Sequence, residues 1–356
     1  MSNLFTPLKI RDIELKNRIA ISPMCQYSSK DGFANDWHLV HLGSRAVGGA
    51  SLVMTEATAV SPEGRISIDD LGIWKDEHID FLKKITGFII QQKAIPGIQL
   101  AHAGRKSSRT SPWNGDKLLD KSEGGWETIA PSAIRFSDDT SNPLDLSIEG
   151  ISKVIENFRL AAIRALKGGF MVAEIHAAHG YLIHEFMSPL SNKRTDTYGG
   201  SFENRIRLLL EIVTTIRSVW PEGYPLFTRI SSVDWRDDGW TIDDSVALAK
   251  VLKNNGVDLL DCSSGGIVPG LSIPAGPGYQ VPFAEQVRKK SGILTGAVGI
   301  ITAPDQAEKI ISEGQADIVS LARESLRDPY FPLRAATDLS VEIPWPVQYI
   351  RAKRRK

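Results

Sequence analysis

The stretch FENRIRLLLEIVTTIRSVWPEGYPLFTRI, Phe202 to Ile230, sets the pattern for the whole chain. Its first part brings Ile206, Leu209, Leu210, Val213 and Ile216 onto one face of a helix, with Ser201 placed to cap the start. A Pro- and Gly-containing turn follows. Leu226–Ile230 is then a short apolar run of the kind that forms a strand buried on both faces. The same alternation recurs in both directions. Candidate strands are Arg18–Ser22, Leu52–Glu56, Gly97–Ala101, Met171–His176, Leu226–Ile230, Val257–Cys262, Ile293–Ala297 and Asp317–Leu321. Helical stretches lie between them, among them Glu149–Lys167, stopped by Gly168–Gly169, and Ile242–Asn255. An open dinucleotide-binding sheet should carry G-x-G-x-x-G directly after its first strand, and no strand here is followed by one. About eight β-then-α units in one run therefore predict an α/β fold, a closed (β/α)8 barrel, as a single domain over residues 1–356.

Two segments fall outside the repeat. Lys9–Leu15 alternates polar and apolar residues and predicts a small N-terminal β-hairpin. Arg105–Asp145 is long, polar and broken by Pro and Gly, and it follows strand three. It predicts an insertion at about 106–146 that caps the catalytic face, because long loops in compact domains are usually functional.

The 356 residues carry 42 Lys+Arg and 42 Asp+Glu, so no net field draws nucleic acid or an anionic membrane. Cys25 and Cys262 cannot build a disulfide framework or a four-thiolate metal site. With no signal-peptide core in Met1–Leu15 and no apolar run near about 18 residues, a cytoplasmic protein is expected.

In a barrel of this kind, chemistry gathers at the C-terminal ends of the strands. Those ends hold Ser22–Pro23–Met24–Cys25, Glu56–Ala57, Gln99 with His102, His176 with His179 and Tyr181, Arg229, Cys262–Ser264, Gly296–Gly299 and Arg323. Barrels often bind phosphate on the loops after strands seven and eight, here GAVGI and LARES. There Gly299 permits close backbone approach and Arg323 can grip phosphate oxygens.

EIHAAHGY, Glu174–Tyr181, is the sharpest constellation, and three readings compete. A metal site would want further His and carboxylate ligands, and neither H-x-H after strand one nor H-E-x-x-H is present. The histidines could be structural. Alternatively both rings donate N–H to one developing oxyanion while Tyr181 delivers a proton. His38 and His41 lie in a helical segment and read as structural or surface residues. Lys106, in HAGRK, looks suited to an anion, and Cys25 as a nucleophile lacks an assignable base.

From LFTPLKIRDIELKNRI to PVQYIR the chain resembles the old yellow enzyme family of FMN-dependent ene reductases, in particular its xenobiotic-reductase, or thermophilic-like, branch. The resemblance rests on SNKRTDTYGGSFENR (Ser191–Arg205), NRIAISPMCQY (Asn17–Tyr27), EATAVSPEGRI (Glu56–Ile66) and GIQLAHAGRK (Gly97–Lys106). It implies non-covalent FMN at the top of the barrel. Ser22, Pro23, Met24, Cys25, Ala57, Gln99 and Arg229 would meet its ring, and Gly299 and Arg323 its phosphate. His176 and His179 would bind the substrate oxygen, Tyr181 would protonate the α-carbon, and Tyr27 would line the substrate pocket.

The resemblance further implies a ping-pong exchange, with NADPH or NADH as reductant. The substrates would be electron-poor alkenes: α,β-unsaturated aldehydes, ketones, imides or nitro compounds. Arg351, in the 340–356 tail, would enter a neighbouring subunit's site, implying a homodimer or dimer-built tetramer. Val298 and Ile350 stand where some members carry aromatics, which implies a more open pocket.

Overall fold

The structure is a computed structural model and describes residues 2–353; the end of the basic tail, residues 354–356, lies outside them. Eight parallel strands close into a barrel: β1 (Ile19–Ile21), β2 (Leu52–Ala59), β3 (Ile95–Ala101), β4 (Val172–Ala177), β5 (Leu226–Ser231), β6 (Leu259–Ser263), β7 (Leu294–Ala297) and β8 (Ile318–Leu321). Closure is made by β8 on β1, with Val319 beside Ile19 and Leu321 beside Ile21. Each strand is followed by an outer helix: α1 (Asp36–Val47), α2 (Ile79–Gln91), α3 (Ile148–Lys167), α4 (Arg207–Arg217), α5 (Ile242–Asn254), α6 (Val281–Ser291), α7 (Pro304–Ser312) and α8 (Phe331–Asp338), with short extra helices after β4 and β8. The barrel expectation holds strand for strand.

Alternation along each strand sorts the residues onto two faces. Outward side chains such as Ile21, Ile98, Ile175, Ile230, Leu260 and Val319 join the helices in one large core. Inward ones change character with height. Along β4 the inward row reads Val172, Glu174, His176; along β5 it reads Phe227, Arg229, Ser231; along β6 it reads Leu259, Asp261, Ser263. The bottom is thus apolar, the middle ionisable and the top hydrogen-bonding.

The bottom needs a cover, and the predicted hairpin supplies it. Leu8–Ile10 pairs antiparallel with Ile13–Leu15. Ile10, Ile13 and Leu15 pack against the inward Ala20, Leu52, Met54, Val172, Phe227, Leu259 and Ile318 in a second, separate cluster. Gly97 makes room there, since a Cβ on it would lie 2.1 Å from the Met54 sulfur.

Three local features differ from the sequence expectation. The helix from Phe202 breaks at Ile206 into Phe202–Arg205, capped by Ser201, and α4. Arg205 reaches back to the carbonyls of Met187 and Gly200, which sets the first turn apart from the long axis. As a result Leu208 and Ile212 join Leu209, Val213 and Ile216 on the buried face, while Leu210 is only half-buried. Strand β2 runs on to Ala59 with an extra residue between the pairs Met54–Gly97 and Ala57–Gln99. That bulge aims Glu56 at the loop after β1.

The 106–146 insertion is anchored to the loop after β2. Trp126 donates to the Glu63 carbonyl (2.9 Å), Arg65 lies 4.6 Å from the Trp126 ring, and the Arg109 N–H donates to the Ile66 carbonyl (3.0 Å), while the Arg109 side chain ties the insertion to itself through Asp116 and Asp139. Its strands Ile129–Ala130 and Leu144–Asp145 pair with each other. Among the described residues no helix is long and apolar enough to cross a membrane.

Candidate active site

The top of the barrel collects the residues that the sequence singled out at the strand ends. His176 ends the inward row of β4, and its Nδ1 accepts the Ala178 N–H at 3.2 Å. A neutral ring that accepts at Nδ1 carries its proton on Nε2. His179 sits in the turn beyond, at φ +60°, with its own N–H bonded to Ser231 Oγ at 2.9 Å and its Nε2 2.7 Å from Ser263 Oγ. Gly180 continues the turn at φ +73°, where a Cβ would collide with the Gly266 carbonyl oxygen at 2.1 Å. Its N–H is held by His184, which in turn pairs with the buried Asp234. Tyr181 then starts a short helix, Leu182–Met187.

The rings of His176 and His179 lie 5.1 Å apart, edge to face, and that of Tyr181 lies 4.9 Å from His176 and 6.5 Å from His179. Burial, reinforced by Arg229, pushes both imidazoles well below their ordinary pKa, so both are neutral. Burial pushes the Tyr181 phenol well above its own, so it keeps its proton. Among the described residues the ring hydrogen bonds use His176 Nδ1 and His179 Nε2, which leaves His176 Nε2 and His179 Nδ1 without a protein partner.

Below them Arg229 donates to Ser22 Oγ (2.9 Å) and lies 3.6 Å from Asp261, and Gln99 donates to Glu174 (2.8 Å). Burial pushes the Glu174 and Asp261 carboxyls up, with Asp261 adding to the rise at Glu174, against the pull of Arg229 on both. The loop from Pro23 to Tyr27 is half-buried at the rim. Glu56 holds it by accepting the Gln26 N–H at 2.9 Å, and Tyr27 meets Trp113 of the insertion edge to face at 5.5 Å. Across the rim a cavity of about 350 Å³ is lined by Val298, Gly299, Ile300, Ala322 and Arg323, among others. Ile350 and Arg351 lie apart, exposed on the tail turn Val347–Ala352.

The side readings are decided by their surroundings, and that of Lys106 changes. Lys106 does not present its ammonium to an anion: it is spent on the carbonyls of His179 (2.8 Å) and Gly266 (3.2 Å), and burial lowers it to about 8. Burial and the carboxyls of Asp70 and Glu56 push the Cys25 thiol well up, which removes a thiolate nucleophile. His38 and His41 are both buried; His38 sits 3.3 Å from Glu56 and braces it. Among the described residues no group of three or more His, Cys, Asp and Glu could hold a metal ion. Sequence reasoning passed over Asp70, which gathers the Ile66 and Ser67 amides under Cys25, and Gln280, which reaches from α6 to the strand-seven loop.

Comparison with known proteins gives the same answer from three directions. The family model for the NADH:flavin oxidoreductase / NADH oxidase family matches residues 3–342. The NADPH dehydrogenase of Bacillus subtilis (strain 168) is 50% identical over 350 residues, 98% of either chain. That of Geobacillus thermodenitrificans (strain NG80-2) is 50% identical over 353 residues, 99% of this chain and 98% of the other. Among solved structures, morphinone reductase superimposes with a TM-score of 0.80 at 26% identity, covering 97% of this chain and 91% of that one. A complex of 2-naphthoyl-CoA reductase gives 0.86 at 28% identity, with 94% of this chain spanning 52% of that one. A barrel with this mouth, matched over nearly its whole length, belongs to the NADH:flavin oxidoreductase / NADH oxidase family, the old yellow enzymes, and is an oxidoreductase of flavin and NAD(P)H.

Proposed function

We propose that this enzyme binds FMN non-covalently at the barrel mouth and uses NADPH, or NADH, to reduce the activated C=C bond of α,β-unsaturated aldehydes, ketones, imides or nitro compounds. The observation that carries the reading is the triad of two neutral imidazoles and one protonated phenol, with ring centroids 4.9–6.5 Å apart, above a buried arginine. Simple flavin storage would need none of the three.

The residues present fit such a cofactor. Arg229 Nε is buried without a partner. Among the described residues the amides of Gly299 and Ile300 donate to no protein group, and Arg323 forms no ion pair. Ser22, Pro23, Met24, Cys25, Ala57, Gln99 and Arg229 would hold the ring, and Gly299 and Arg323 the phosphate. When bound, FMN supplies a centre that takes hydride from a reduced nicotinamide and gives it up to an alkene.

The chain's own residues do the rest. The His176 and His179 N–H groups hold the carbonyl or nitro oxygen and stabilise the charge that gathers on it. Neutral rings suit this task because a donor that keeps its proton need not be reorganised as charge develops. Tyr181 holds a proton for the α-carbon, and a phenol suits a strongly basic carbon better than a histidine would. Lys106 Nζ, 5.3 Å from the Tyr181 ring centroid, offsets the charge left on the phenol. Tyr27, with Trp113 beside it, walls the substrate space, and the 106–146 insertion caps it. The tail exposes Val347, Tyr349 and Ile350 beside Arg351, as a segment docking on a second copy would; Arg351 then enters that copy's mouth in a homodimer or dimer-built tetramer.

The test is the visible spectrum of the purified protein followed by anaerobic titration with p-hydroxybenzaldehyde and NADPH-dependent reduction of 2-cyclohexenone. A flavin spectrum that gains a long-wavelength charge-transfer band places the phenolate over the flavin and under the two histidines. A protein that stays colourless after incubation with FMN overturns the reading.

A further inference from the structure

Two imidazoles make a two-donor site only if each turns an N–H toward the substrate. For His176 the backbone settles the matter, because Ala178 N–H occupies Nδ1 and leaves the proton on Nε2. For His179, among the described residues, no backbone group hydrogen-bonds to the ring. Its Nε2 meets one hydroxyl, Ser263 Oγ at 2.7 Å, and the direction of that bond decides the tautomer. If Ser263 accepts, the proton sits on Nε2, and Nδ1 faces the mouth as a bare lone pair that repels a developing oxyanion. If Ser263 donates, the proton sits on Nδ1 and the site has two donors.

The neighbours of Ser263 fix the direction. Gln280 donates through Nε2 to the Val298 carbonyl at 3.2 Å, which leaves Oε1 as the acceptor facing β6. That oxygen is taken at 2.6 Å by Ser264 Oγ, whereas Ser263 Oγ lies 3.4 Å from it, beyond the usual range for O–H···O. Among the described residues the Ser263 proton therefore has one good acceptor, His179 Nε2. The turn carrying the ring is held independently, by Ser231, which accepts the His179 N–H and donates to the Gly265 carbonyl at 2.7 Å.

We infer that Ser263 is a positioning residue that donates to His179 Nε2 and so places the His179 proton on Nδ1, making it the second donor to the substrate oxygen. The inference rests on the reading of the histidine pair given above. Ser263 does not touch the substrate; it acts through the ring. The device also ties the donor pair to the loop of Val298 and Gly299, because the amide that occupies Ser264 is itself held by the Val298 carbonyl.

The test reads the tautomer directly. Histidine-selective ¹⁵N labelling of the FMN-incubated protein, with the His179 signals assigned by their loss in His179→Gln, tells a protonated Nδ1 from a protonated Nε2. Wild type is expected to show the Nδ1–H form. Ser263→Ala is expected to shift the ring toward Nε2–H and to weaken p-hydroxybenzaldehyde binding about tenfold, the worth of one hydrogen bond to a charged group. Ser263→Thr, which keeps the hydroxyl, is expected to restore both. A wild-type ring protonated on Nε2 overturns the inference whatever the variants do, and so does Ser263→Ala with an unchanged tautomer and affinity. Failure of the wild type to bind FMN or p-hydroxybenzaldehyde refutes the functional reading instead, since the tautomer is read on the protein itself.

Discussion

Replacing Gly299 by alanine gives a quantitative test of the proposed phosphate-binding role of its loop. The residue sits at φ +122°, a conformation that L side chains rarely adopt and that costs about 1–3 kcal/mol when a side chain is forced into it. The new Cβ would also lie 3.1 Å from Tyr279 Cε1 and 3.1 Å from Gln280 Nε2. Crowding of that kind adds roughly 1 kcal/mol if neither neighbour yields. The sum, about 2–4 kcal/mol, can be taken as lost stability or relieved by moving the loop. Relief by movement displaces the Gly299 and Ile300 amides, and every 1.4 kcal/mol lost there weakens binding about tenfold. Gly299→Ala is therefore expected to lower Tm by several degrees, to raise the Kd for FMN more than tenfold, or to do both. The assays are thermal melts of the FMN-free protein and fluorescence titration with FMN. Gly276→Ala is the control, since a Cβ there meets nothing within 4 Å. Wild-type Tm together with wild-type FMN affinity in Gly299→Ala would show that the backbone does not closely approach a ligand at this loop.

Tyr181→Phe should slow reduction of 2-cyclohexenone by about 10²- to 10⁴-fold while leaving reduction by NADPH largely intact, because only the first needs the phenolic proton; stopped-flow measurement of the two half-reactions separates them. His176→Ala should cost about 2.7–4 kcal/mol of transition-state stabilisation, read from kcat/KM, if its Nε2–H serves as an oxyanion donor. Burial raises Asp70 from 3.8 to about 7 and Glu185 from 4.5 to about 8. Because the folded values lie above the unfolded ones, each carboxyl favours the folded state below its unfolded pKa and loses that contribution as pH rises through its folded value. Urea unfolding should show wild type losing stability relative to Asp70→Asn between about pH 4 and 7, and relative to Glu185→Gln between about pH 4.5 and 8. The slope for each group is at most about 1.4 kcal/mol per pH unit. A difference that stays flat with pH refutes the assignment.

The barrel was legible because its evidence is local. Short apolar runs bounded by Gly, Pro and Ser announce strands, and the Ser201 cap and the Gly168–Gly169 stop lie within a turn of the helices they bound. The hairpin over Leu8–Leu15 was legible from its alternation. The break at Ile206 was not, because it depends on Arg205 reaching Met187, outside the helix. The strand-end rim gave most of the mouth, yet the residues alone left the histidines between a structural pair and a donor pair, with a metal site disfavoured for want of further ligands. What separates those readings is long-range: Ser263 against His179 spans 84 residues, and Arg229 against Ser22 spans 207. Such pairs leave no mark in a single sequence. Lys106 was misjudged for the same reason, since a surface lysine and one buried under a turn look alike until the carbonyls of His179 and Gly266 are in view.

The hairpin under the barrel has a consequence for traffic. With Ile10, Ile13 and Leu15 packed under the inward Leu52, Val172, Phe227 and Leu259, the barrel is a filled post whose lower end is sealed. Molecules can therefore approach only from the upper rim. On the function proposed above, reductant and substrate would queue for one doorway, and a surplus of either is expected to slow the other.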